Sequence, residues 1–145
     1  MTGFRVGYIA APQEFIQAVA GLQSHMTGNV CTFAQHGALA ALDMDARDLE
    51  GWRADMEHKR DYAYRWALEL FDCVKPRGAF YLFPNVRHHL KGGLTSAALA
   101  GRLLENSGVA VVPGEVFGMG GHIRISYAVS QDRLVSGFEK IAEAL

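Results

Sequence analysis

Apolar and polar positions alternate most regularly near the end of the chain. Over residues 123–128, Ile123, Ile125 and Tyr127 fall on one face of an extended segment, and Arg124, Ser126 and Ala128 on the other. The preceding run, VAVV, is continuously apolar, and the glycine-rich PGEVFGMGG joins the two, so residues 109–128 predict strand, loop, strand. The same two-residue period recurs over residues 4–11, which predicts a strand with Phe4, Val6 and Tyr8 on one face and Arg5, Gly7 and Ile9 on the other. A short run at residues 79–83, AFYLF, predicts another, closed by Pro84.

Elsewhere the period is helical. Pro12 suits a first helical position and is followed by Phe15, Ile16, Val19 and Leu22, until Gly21 and the polar QSHMTGN interrupt the pattern. Residues 30–42 predict a second helix with a face of small residues, Ala34, Gly37, Ala38 and Ala41, against which another backbone can pack closely. Residues 46–71 predict a long third helix, with Leu49, Trp52, Met56, Ala63, Trp66 and Leu70 as its stripe and Lys59 breaking it. At ~1.5 Å per residue such a helix approaches 40 Å, a length suited to joining two lobes of a larger protein. Thr95 or Ser96 starts a fourth helix through Ala98, Leu99, Leu103 and Leu104, which stops near Gly108. Ser130 caps a fifth, with Asp132 in its first turn and Leu134, Phe138, Ile141 and Leu145 as its stripe. From residue 46 the order helix, strand, helix, strand, strand, helix predicts a two-layer α/β sandwich.

Composition narrows the function. With 145 residues, 50% of them hydrophobic, the chain can build a proper core. A net charge of -1 and a pI near 6.6 give no electrostatic footprint for nucleic acid. No apolar run approaches the ~20 residues of a membrane helix, and the N-terminus lacks the layout of a signal peptide, so the chain reads as soluble and cytoplasmic. Cys31 and Cys73 sit in apolar stretches without CxxC spacing and read as reduced core residues. The six histidines make no HxxxH or HExxH spacing, which argues against a metal site. The glycine loop lacks the GxxxxGK[ST] lysine and leads into a strand, so it reads as a tight connection that can line a pocket, not as a phosphate cradle. No GxSxG is present, and a nucleophilic triad is unsupported.

Two arginines remain. Arg5 and Arg124 each interrupt an apolar strand beside glycine or another small residue, and burying an unpaired guanidinium costs several kcal/mol. Arg124 has no acidic neighbour in sequence. It either receives an anion, most naturally a carboxylate held by two parallel hydrogen bonds, or reaches solvent or a distant acid. Two cationic sockets suit a doubly anionic ligand, or two ligands.

In their order and spacing, MTGFRVGYIAAP, QSHMTGNVCTFAQHGALAAL, PRGAFYLFP, VAVVPGEVFGMGGHIRISYA and the closing amphipathic helix resemble the C-terminal part of class I/II (fold-type I) pyridoxal-phosphate-dependent aminotransferases, in the aspartate aminotransferase-like branch. The resemblance implies that residues 1–45 are a remnant of the large cofactor-binding domain and 46–145 the small α/β domain with its connecting helix. It implies transfer of an amino group between an amino acid and a 2-oxo acid by way of pyridoxal 5'-phosphate, in a homodimer. It assigns Arg5 to the cofactor phosphate and Arg124 to the substrate α-carboxylate. It also gives Phe117 a place at the substrate entrance, against a plain packing role, and puts Thr27 and Asn29 beside the neighbouring subunit's site. The family's Schiff-base lysine precedes the MTG block, so the expectation is that this chain holds no catalytic residue and is inactive alone. The turn 23–29 carries no arginine, which weakens aspartate as the substrate. The competing readings are a non-catalytic carboxylate-binding α/β domain and an assembly domain that associates through the small-residue helix.

Overall fold

The computed structural model describes residues 1–145, which divide into two compact units, Met1–Leu49 and Glu50–Leu145. The helices are α1 (Gln13–Met26), α2 (Thr32–Leu42), α3 (Ala46–Leu70), α4 (Ser96–Ser107) and α5 (Gln131–Ala144), and the strands are β1 (Tyr81–Leu82), β2 (Val112–Pro113) and β3 (Ile123–Ser126).

In the first unit the expected strand over residues 4–11 does not form. A 3-10 turn covers Thr2–Phe4, Arg5 takes a left-handed conformation (φ 49°, ψ 50°), and no residue of this stretch joins a ladder. Alternation assigns side chains to faces, but a strand also needs a paired edge, and the other elements of this unit are helices. Helix α1 runs four residues beyond Leu22 to Met26, because an interior glycine such as Gly21 costs only about 1 kcal/mol. It ends where Gly28, at φ 66°, donates its N–H to the Gln23 carbonyl. The small face of α2 does admit a close neighbour: a Cβ on Gly37 would lie 3.2 Å from Met1 Cε and 3.4 Å from the Phe4 ring. Phe4 also meets Phe33 edge-on, with centroids 6.1 Å apart. Ala34 is the one buried residue of this unit. Cys31, expected in a core, lies exposed just ahead of α2, and both thiols are free.

In the second unit three short strands form a sheet of order β1-β3-β2, antiparallel throughout. Tyr81 pairs with Ser126, Leu82 with Ile125 and Val112 with Arg124, and single bridges from Asn85 to Asp72 and His122 prolong the ladder. The central strand shows the predicted alternation, with Ile123, Ile125 and Tyr127 buried and the residues between them not. Those three pack with Leu82, with Ala63 and Ala67 of α3, with Leu99 and Leu103 of α4, and with Leu134, Phe138 and Ile141 of α5. Helices thus cover one face of the sheet, which makes the two-layer α/β arrangement. Trp66 stacks on Phe138 (6.1 Å, 17°) and donates its indole N–H to the Tyr62 hydroxyl. The Tyr127 hydroxyl donates to the Ala79 carbonyl at 2.9 Å, and burial raises its pKa.

Helix α4 is framed by Thr95, whose hydroxyl accepts the Ala98 N–H, and by left-handed Gly108. Its buried stripe is Ser96, Leu99, Ala100 and Leu103, whereas Ala98 and Leu104 face outward. Ser130 occupies the cap position of α5 without making a side-chain cap bond, and Leu145 lies beyond the helix, exposed. Along α3, Trp52 is exposed and burial is concentrated at Ala63 and Ala67, while Lys59 and Arg60, themselves largely covered, pair with the more exposed Asp55 and Glu57.

Candidate functional site

The face of the sheet away from the helices carries the chemistry. Register places Tyr81 diagonally from Arg124 across the β1–β3 ladder, on the same side of the pleat. The Arg124 Cζ lies 4.3 Å from the Tyr81 ring centroid and 4.9 Å from that of Phe117. The chain's ion pairs do not include Arg124. It is half-buried, yet no buried polar side-chain atom in the chain lacks a partner, so its N–H groups remain reachable. Ring faces attract the cation through their quadrupole without using its hydrogen bonds. A planar, fixed charge with an unspent fork of donors is suited to grip a carboxylate bidentately.

Phe117 reaches this place through the glycine loop. A 3-10 turn, Gly114–Phe117, ends at left-handed Gly118. Gly114 donates to the His122 carbonyl at 2.7 Å, and a Cβ there would fall 2.1 Å from the Met119 carbonyl oxygen, so a side chain is sterically excluded. Glu115 Oε1 accepts the Ser96 N–H at the start of α4, and Ser96 Oγ accepts the Gly121 N–H. The Arg87 side chain lies over Gly121, and its guanidinium donates to the Gly120 carbonyl. Gly114, Gly118, Met119 and Gly121 all spend their N–H groups inside the protein, so the loop shapes a wall and does not cradle an anion. Phe83 joins that wall, edge-on to Phe117 at 5.8 Å and stacked on His122 at 5.2 Å.

Arg5 is exposed, and not embedded in a strand as its sequence context predicts. Its one bond is a long one, 3.5 Å from Nη1 to the Thr2 carbonyl, in an open cleft of about 390 Å³ lined by Met1, Thr2, Arg5, Val6 and Gly7. Thr27 and Asn29 lie in the exposed turn between α1 and α2. No group of three or more His, Cys, Asp or Glu side chains stands where it could hold a metal, and no helix is long and apolar enough to cross a membrane.

The sequence singles out Arg124 and Phe117, which the structure brings together, but not Tyr81, Phe83 and His122, which lie beside them. The signal lay in AFYLFP, whose alternate residues Tyr81 and Phe83 flank the buried Leu82. Register, which sequence does not supply, sets the Tyr81 ring against the guanidinium.

Residues 1–141 match the family model for aminotransferase class I and II. This chain belongs to that family. It is 43% identical to the probable aspartate/prephenate aminotransferase of Aquifex aeolicus, over all of this chain and 38% of that protein. It is 41% identical to the aspartate aminotransferase of Bacillus subtilis, over 97% of this chain and 37% of that one. Among solved structures, aspartate aminotransferase of Thermotoga maritima superposes with a TM-score of 0.83 at 34% identity, over 99% of this chain and 36% of that one. The aromatic aminotransferase of Pyrococcus horikoshii gives 0.85 at 36% identity, over 100% and 39%. The aminotransferase chain described here therefore spans under two-fifths of the length of these relatives.

Proposed function

We propose that this chain is the part of a homodimeric aminotransferase that orients the substrate, with Arg124 holding the α-carboxylate of an amino acid or 2-oxo acid. The observation that carries this reading is a guanidinium lying over two ring faces with no acidic partner of its own. Phe117, about half exposed beside it, forms one side of the substrate's entrance. Arg5 suits the phosphate of pyridoxal 5'-phosphate: its side chain is open to solvent and forms no ion pair within the chain. When bound, that cofactor supplies the electron sink for breaking the bond to the substrate's α-proton. This chain's share is to bind and to orient. Arg124 fixes the carboxylate, and the ring of Phe117 limits the water around it. Thr27 and Asn29 border the neighbouring subunit's site.

Arg124→Ala in the enzyme should raise KM and lower kcat/KM by about two to four orders of magnitude, as expected for a buried charged pair worth roughly 3–5 kcal/mol. Steady-state assays giving an unchanged kcat/KM would remove Arg124 from this role. Carboxylate binding that persists undiminished without pyridoxal phosphate, together with no amino transfer when it is present, would instead favour a non-catalytic carboxylate-binding domain.

A further inference from the structure

We propose that Tyr81 is the positioning residue for Arg124, holding the guanidinium by its ring face so that the whole N–H fork stays available to the carboxylate. The inference rests on the reading of Arg124 as the carboxylate site and adds the residue that aims it. Tyr81 approaches the guanidinium more closely than Phe117 does, 4.3 against 4.9 Å. It is also the better anchored of the two. Its backbone is paired to Ser126 in the β1–β3 ladder, and its ring packs against Phe80 at 4.4 Å, whereas Phe117 stands in a 3-10 turn with about half its surface exposed.

An arginine side chain has four rotatable bonds and is ordinarily held by a carboxylate or by carbonyls, each of which uses donors. No carboxylate lies within ion-pairing distance of Arg124, so the rings are what restrains it. A ring stacked face-on acts on the cation perpendicular to the guanidinium plane, while the hydrogen bonds radiate within that plane. The two directions do not compete. Stacking therefore lowers the conformational entropy still to be lost when a carboxylate docks, without reducing the number of bonds it can make. The ring, not the hydroxyl, does this.

The test compares Tyr81→Phe, Tyr81→Leu and Arg124→Ala, using 3-phenylpropionate as an unreactive carboxylate and calorimetry on the full enzyme loaded with pyridoxal phosphate to read its Kd. Tyr81→Phe should stay within about twofold of the parent, and Tyr81→Leu should weaken binding by about 5- to 30-fold. Arg124→Ala should abolish binding. Unaltered affinity in Tyr81→Leu, with binding lost in Arg124→Ala, overturns the role of Tyr81 and leaves Arg124 as the carboxylate site. Equal losses in Tyr81→Phe and Tyr81→Leu also overturn it, because they would place the effect in the hydroxyl. Parental binding by Arg124→Ala would sink the carboxylate site itself. A second readout needs no variant: in proton NMR of the parent, the Arg124 Hδ protons should be shifted upfield by the ring above them. Hδ shifts typical of a free arginine would overturn the inference even if Tyr81→Leu failed to fold.

Discussion

Arg124 stands out in the sequence because the strand around it is apolar, and the structure shows what that conflict accommodates. The cation sits on the solvent side of a sheet whose other side is core, and its free energy is lowered by ring faces rather than by an acid. Arg5 sends the same signal in sequence and has a different outcome. It lies exposed in a left-handed turn, because the stretch around it has no ladder to join. The pattern thus located both cations but described the surroundings of only one. Two further residues carry predictions of their own. Gly114→Ala should lower stability by about 1–3 kcal/mol, since its methyl would displace the Met119 carbonyl, and thermal melting would show it. The same change should weaken carboxylate binding by moving Phe117. Asp61 accepts hydrogen bonds from Arg60 and Lys75, which hold its pKa at about 2 instead of 3.8. A depressed carboxyl pKa stabilises the fold above the unfolded value, and that contribution is lost as pH falls through the folded one. Asp61→Asn should therefore melt below the parent at neutral pH, modestly because the site is exposed, with the difference vanishing as pH drops from 3.8 to about 2. A constant difference across that range would contradict the assignment.

At the scale of elements, the helices were legible because each carries its own periodicity and end signals. Helix α4 has its cap in Thr95 and its stop in Gly108, both readable in advance. Thr95→Ala should cost about 1 kcal/mol in urea unfolding, since the Ala98 N–H loses its acceptor. No change in the midpoint would mean that solvent replaces the hydroxyl at no cost. Strands were less legible. Alternation over residues 4–11 is as regular as over residues 123–128, but only the latter finds neighbours on both sides, in β1 and β2. The aromatic wall of Tyr81, Phe83, Phe117 and His122 is likewise a product of register and loop geometry. Its members come from two separate stretches of sequence, around residues 81–83 and 117–122, and no local pattern links one stretch to the other.

At the scale of the whole molecule, the two units differ in what they bury. Glu50–Leu145 has a continuous core, while Met1–Leu49 buries only Ala34 and exposes Tyr8, Phe15, Leu22, Met26, Phe33 and Leu39 among others. Apolar exposure on this scale favours association, so the chain by itself should form oligomers in light scattering, more so as salt strengthens apolar contact. A clean monomer across concentrations would count against that. The aminotransferase reading depends above all on Arg124 meeting a carboxylate. Its most direct test follows the Arg124 Nε–H resonance while 3-phenylpropionate, and separately the corresponding amide, is titrated into the protein. The acid should move that resonance downfield with saturation, and the amide should leave it nearly unmoved; no movement with the acid, or equal movement with both, would contradict the account.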